Sequence, residues 1–278
     1  MKRAFGWREE DGVAGARSLR TTIGRPGFAR GTKPSLRAHR VRRIYQGPYG
    51  ACVAFAEVRA INVSHRAYGN AAAPMASPKH LYAIGRLQEY AGQPTELIPP
   101  LNMIGDVGMY PGLALNACRN LGFCSWNDDP YGTPIEKHSA TGAAFADINE
   151  LVRPIVARNA FDQAGLSWYE IPFPTGRMDA IEDCFAASMP VLFAMNVDAP
   201  FLEHRSSEPI KTISDETVGG HMMVGLEITR EGHLLFDNWW DDWGFEDGFG
   251  VLHRDLVESF KFRNAVALRA APVPGETK

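Results

Sequence analysis

Long apolar runs are missing from this chain. No stretch approaches the ~18–20 consecutive apolar residues needed to span a bilayer. The first residues are rich in Arg and Gly and contain no apolar segment of the kind that forms a secretory leader. Both absences argue against a membrane role and lead to the expectation of a cytoplasmic, phage-associated or delivered protein. Charge imbalance is small as well. With 29 Lys and Arg against 32 Asp and Glu, the formal net charge is −3, so no specific nucleic-acid role is expected. Cysteine is scarce: Cys52, Cys118, Cys124 and Cys184 are all there are. That argues against a full disulfide framework, while Cys118 and Cys124 leave open either one pair or two buried thiols. There is no serine elbow of the GxSxG type, no phosphate-binding P-loop and no HExxH zinc motif. Cys118 and Cys124 have no second Cys/His pair at zinc-finger spacing. No metal or cofactor is expected.

What remains is the composition of an ordinary globular protein, 45% hydrophobic and 22% charged. At 278 residues it is large enough for one large domain or two small ones. One stretch organises it. Gln46-Gly47-Pro48-Tyr49-Gly50 is a turn-rich loop, and Ala51 opens a helix-compatible run to about Ala67. Ala54, Phe55, Val58 and Ile61 give that helix an inward face. Cys52 falls at its N-terminus, where unpaired N–H groups and the helix dipole favour an anion. Such a place should lower a thiol pKa and make the sulfur a nucleophile at neutral pH. The plainer alternative is a small core residue.

Further elements follow by the same reasoning. Ser77-Pro78 reads as N-cap and first residue of a second helix, through about Tyr90, on which His80 and Tyr82 pack or meet solvent. Gly105 and Gly108 lie in a second glycine-rich turn. Pro111 to Leu121 is a third helix, stopped by Gly122. Residues 143–164 and 178–188 have helical spacing, and 190–197 reads as a buried strand. The polar stretch 203–217 is expected to be a mobile loop. Gly219-Gly220-His221 opens an apolar strand whose first side chain is an imidazole. A last strand runs from Leu234 into Asn238, before Trp239-Trp240-Asp241-Asp242-Trp243-Gly244. Period two puts Leu234, Phe236 and Asn238 on one face and Asp237 on the other.

A cysteine after Gln-Gly-x-x-Gly-x, a histidine after glycines and an asparagine before tryptophans, in that chain order, resemble the papain-like cysteine peptidases. Tyr49 and Val53 depart from that pattern, standing where many members carry a disulfide cysteine and a tryptophan. Gly122-Phe123-Cys124-Ser125-Trp126 with Pro130-Tyr131 resembles bacterial members. The resemblance implies an α+β fold. A helical half, about 35–165, would carry Cys52. A half with an antiparallel, barrel-like sheet, about 166–278, would carry His221 and Asn238 across a cleft. It implies a cysteine endopeptidase acting on a peptide or protein. Cys52 would be the thiolate, paired with protonated His221, and Gln46 an oxyanion donor. Asn238 would orient His221, or Asp237 would if the tryptophans align without a gap. Trp240 would shield the imidazole, and Gly105 and Gly108 would wall the cleft and pair with substrate. Two other readings use the same fold: an idle structural or binding component of a larger assembly such as a phage particle, or an amidase or transpeptidase on cell-wall peptides.

Residues 1–34 form a basic arm with weak hydrophobic periodicity. It reads either as an extended docking segment for an acidic protein partner or as a segment lying on its own mildly acidic domain. It looks shorter than the inhibitory segments of the resembled family, which implies constitutive activity or control by a partner.

Overall fold

Helix α1, Cys52–Ala67, is the axis of the molecule. From Cys52 to Ser64 every residue is buried, where the sequence pattern predicts a single inward stripe. The reason is its position: α1 packs on helices α2 (Pro78–Gln88) and α3 (Pro111–Leu121) to one side and on strands β4 (Gly219–Ile228) and β7 (Arg263–Arg269) of a sheet to the other. Burial then forces its polar residues to find partners. Arg59 ion-pairs with Asp237 at 2.8 Å and donates to the Val41 carbonyl at 2.6 Å. Asn62 donates back to the Val58 carbonyl at 2.8 Å, and Ser64 Oγ accepts the Ala270 N–H at 3.0 Å.

The computed structural model describes residues 5–10, 12–19, 34–47, 49–70, 75–90, 106–122, 124–126, 166–171 and 176–270. Gly105, Phe123, Pro130, Tyr131 and the helix expected over 143–164 lie outside the described residues. Helix α2 is Pro78–Gln88, with Ser77 Oγ accepting the His80 N–H at 3.2 Å. Helix α3 is Pro111–Leu121, begun by its proline and ended at Gly122 with φ of 74°. Helix α4, Arg177–Ala186, buries Ile181, Cys184 and Phe185 as the spacing predicts.

Among the described residues seven strands form one sheet: β1 (Arg17–Ser18), β2 (Ser167–Glu170), β3 (Val191–Val197), β4 (Gly219–Ile228), β5 (Leu234–Asp237), β6 (Phe249–Leu252) and β7 (Arg263–Arg269). Their order is β1-β2-β7-β3-β4-β5-β6, antiparallel throughout except for β1 on β2. The central strands β3 and β4 are buried over most of their length, so they read as continuous apolar runs rather than alternating ones.

Over its described length the arm lies on its own domain, the second of its two readings, whereas the mobile loop expected over 203–217 is corrected. Trp7, Val13 and Leu19 are buried, Arg17 and Ser18 extend the sheet, and Trp168 donates its indole N–H to the Ala14 carbonyl at 3.1 Å. Three apolar anchors spaced through a basic stretch suffice to dock it, although they make no period. The segment 203–217 is likewise tied down. Ile210 and Ile213 are buried, Ile210 bridges to Leu252, and Asp198 accepts the Ser214 N–H at 2.7 Å. All four cysteines are buried, and no disulfide joins them. Among the described residues no helix is long and apolar enough to cross a membrane.

Candidate active site

The loop before α1 is held by groups from both sides. Asp106 accepts the Gly50 N–H with both carboxylate oxygens, at 2.9 and 3.0 Å, and the Tyr82 hydroxyl at 2.6 Å. Tyr82 thereby bolts the loop to the second glycine-rich turn, where its oxygen also accepts the Gly108 N–H at 3.3 Å. From the other side the Trp239 carbonyl accepts the Gln46 N–H at 2.9 Å. Cys52 is the first residue of α1. The backbone N–H groups of Met222, Gly6 and Val53 are turned toward its sulfur and favour the thiolate. Met222 follows His221 on β4, so sheet and helix meet at the thiol.

His221 is fully buried and stacks on Trp240, with ring centroids 4.0 Å apart and planes 23° apart. Its Nε2 lies 2.8 Å from Asn238 Oδ1. The same Oδ1 accepts the Trp239 N–H at 2.8 Å, which fixes it as the oxygen end of the amide. Nε2 therefore carries a hydrogen. Of the two neighbours left open by the sequence, Asn238 is the one touching His221. Asp237 faces away and is fully buried among cations: Arg40 holds it through two bonds at 2.8 and 3.0 Å, and Arg59 reaches it at 2.8 Å. Gln46 is buried with its side-chain amide donating to the Tyr49 carbonyl, so an oxyanion role requires that donor to be shared or redirected.

The cleft between the Cys52 loop and the His221 strand is filled by the chain's own residues 5–10. The Gly6 carbonyl accepts the Met109 N–H at 2.8 Å, and the Arg8 N–H donates to the Met109 carbonyl at 3.2 Å. That makes a parallel bridge centred on Trp7 and Met109. Gly108, at φ of 79°, has no room for a Cβ, which would lie 2.2 Å from the Gly6 oxygen. The Phe5 ring meets Trp240 edge-on at 5.8 Å. Gly219 and Gly220 leave space for the side chains of Phe5 and Trp7, which a Cβ would approach to 2.4 and 2.5 Å. Further along, Arg8 pairs with Glu89 at 2.7 Å and lies over the Tyr110 ring at 4.0 Å. Glu9 pairs with Arg263, and Glu10 accepts the Gly112 N–H at 2.8 Å.

This covering reverses one expectation. Burial pushes the Cys52 thiol up to about 12 from an ordinary 9.0, and the three N–H groups only moderate it. The helix terminus does not lower a thiol that has been taken out of water. The arm, short as it is, reaches the Cys52 loop through Phe5-Gly6-Trp7. Sequence reasoning missed these residues together with Asp106 and Asn264. An aromatic-glycine-aromatic triplet inside a polar, basic arm was the available signal.

No family model matches the chain, and no curated protein does. Solved structures do. Xylellain, a cysteine protease from Xylella fastidiosa, superposes with a TM-score of 0.65 at 16% identity, covering 97% of each chain. A procathepsin B from Trypanosoma congolense gives 0.61 at 16%, over 94% of this chain and 87% of that one. The bromelain protease from Ananas comosus gives 0.57 at 16%, over 85% and 98%. The chain has the papain-like fold. In that fold the elements carrying Cys52, His221 and Asn238 come from residues far apart in sequence, and 168 residues lie between Cys52 and His221.

Proposed function

We propose that the chain is a papain-like cysteine peptidase in a covered form, with two halves facing across the cleft as the sequence suggests. The observation that carries this reading is the His221–Asn238 hydrogen bond on a strand whose next residue, Met222, turns its backbone N–H toward the Cys52 thiol. Arrival of a peptide requires residues 5–10 to leave. Water and substrate then reach the thiol, and the burial that holds its proton is relieved. His221 Nδ1 takes the Cys52 proton, and the helix terminus and the imidazolium stabilise the thiolate. Sulfur attacks the peptide carbonyl carbon. The oxyanion is met by the Cys52 N–H and by Gln46, donors whose individual loss typically costs ~2.7–4 kcal/mol. His221 returns the proton to the leaving amine as the C–N bond breaks, leaving a thioester. It then deprotonates water, which releases the acid and restores the thiol. Asn238 keeps the hydrogen on Nε2 throughout, and Trp240 shields that bond from water. The wall at Gly108 and Met109 offers a backbone donor and acceptor to an extended peptide.

Treatment of the full chain with an epoxide directed at active-site thiols, read by intact mass and peptide mapping, tests this. The expected result is one adduct, on Cys52, that appears when the arm is destabilised and is lost in His221→Ala. Absence of any Cys52 adduct in an arm-destabilised variant would overturn the proposal and favour an idle fold.

A further inference from the structure

The residues filling the cleft also reveal what the cleft can read. Trp7 is 8% exposed. One face of its indole lies where Gly220 has no side chain, since a Cβ there would be 2.5 Å from the ring. Its backbone pairs with Met109. Its Nε1–H donates to Asn264 Oδ1 at 3.1 Å. Asn264 is itself held in place: its Nδ2 donates to the Glu10 carbonyl at 2.9 Å, which fixes the amide with its oxygen toward the indole. Its φ of 43° lies in the left-handed region, which asparagine tolerates better than most residues. A ring-sized space, an edge acceptor aimed at a ring N–H and a backbone ladder alongside make a built recognition pocket.

We infer that the pocket formed by Gly220, Met109 and Asn264 is the specificity pocket of this cleft, and that it selects peptides carrying tryptophan. Trp7 occupies it until substrate displaces the arm. The inference rests on the peptidase reading for its use in catalysis, but the binding preference stands on the pocket alone. A phenylalanine in the same place fills the space and leaves the half-buried Asn264 oxygen without its donor. That loss corresponds to about a tenfold weaker interaction. Leucine loses the ring contact as well.

The test uses the full chain with Trp7→Ala, which empties the pocket. Dye-labelled peptides Ac-Phe-Gly-X-Arg-Glu, with X as Trp, Phe or Leu, are titrated by fluorescence anisotropy. Cleavage is followed separately with a quenched peptide set in which one tryptophan or phenylalanine is moved through every position. The expected binding order is Trp over Phe by about tenfold, then Leu. Adding Asn264→Gly, which keeps the left-handed backbone accessible, should abolish the Trp preference, and Asn264→Asp, which keeps the acceptor, should retain it. Equal binding of Trp and Phe, or a preference that survives Asn264→Gly, overturns the inference. Should Trp7→Ala fail to fold, Trp7→Phe serves instead, with faster Cys52 alkylation expected and an unchanged rate counting against the pocket. Selective binding without cleavage refutes the peptidase reading and leaves the pocket standing. Cleavage without selectivity does the reverse.

Discussion

A methyl group on Gly6 would lie 1.6 Å from the carbonyl oxygen of Gly50, two residues before the thiol. The arm and the Cys52 loop are in backbone-to-backbone contact at the one place where a nucleophile would need room. Gly6→Ala therefore cannot seat in the cleft without displacing backbone. An overpacking cost of ~1–3 kcal/mol translates into roughly 5- to 150-fold faster alkylation of Cys52 by iodoacetamide. Mass-mapped labelling rates at fixed pH check this, and a rate equal to wild type would mean that the arm does not guard the thiol.

The raised Cys52 pKa makes a prediction of defined sign. The folded, covered state favours the neutral thiol, so its contribution to stability is fully present below the ordinary pKa of 9.0. It is lost as pH rises toward about 12. In wild type, alkylation at neutral pH should be slow and should climb through the alkaline range. In Gly6→Ala the climb should move to lower pH. A pH series of labelling rates for both chains measures the shift.

Glu57 makes a second pH prediction. Its carboxylate is fully buried on α1, and neither oxygen has a hydrogen-bond partner among the described residues. Burial, and the Glu10 carboxylate after it, hold its pKa well above 4.5. A raised carboxyl pKa gives stability that is present below 4.5 and lost as pH rises through the folded value. Glu57→Gln should raise Tm at neutral or alkaline pH, at ~2–4 °C per kcal/mol for a domain of this size, and change it little near pH 4. Thermal melts at the two pH values decide it.

Asp237 and Asn238 separate by opposite outcomes. Asp237→Asn leaves Arg40 and Arg59 with a neutral partner in a buried site, and breaking a buried pair typically costs ~3–5 kcal/mol. Urea unfolding should show that loss. Asn238→Ala should leave stability closer to wild type and, in an arm-displaced chain, lower kcat by about 10²-fold with little change in KM. Equal effects on both measurements would deny the division of roles.

Much of this was legible in the sequence, and the reasons are local. The Cys52 helix, the Pro111–Leu121 helix and the strand opening at His221 follow from turn residues, caps and apolar runs, which act over a few residues. The choice between Asp237 and Asn238 needed strand phase, and phase alone left two alignments open. It took the neighbouring cations Arg40 and Arg59, far away in sequence, to show where Asp237 goes. The arm was illegible for the same reason. Phe5 and Trp7 make no period with the rest of the arm, and what fixes them is space left by Gly219 and Gly220 in a segment over two hundred residues away. The turn residues put Cys52 at the helix start, where it is, but its pKa follows burial, because a helix terminus acts on a wet thiol and this one is covered.

The most direct test of the central claim is peptide hydrolysis by the uncovered chain. Gly6→Ala is incubated with a general peptide library and the products are mapped by mass, beside the same chain also carrying Cys52→Ser. Cleavage at defined peptide bonds that vanishes with the sulfur is the expected result. Cleavage that persists without Cys52, or none at all from a folded chain whose thiol is demonstrably accessible, would contradict it.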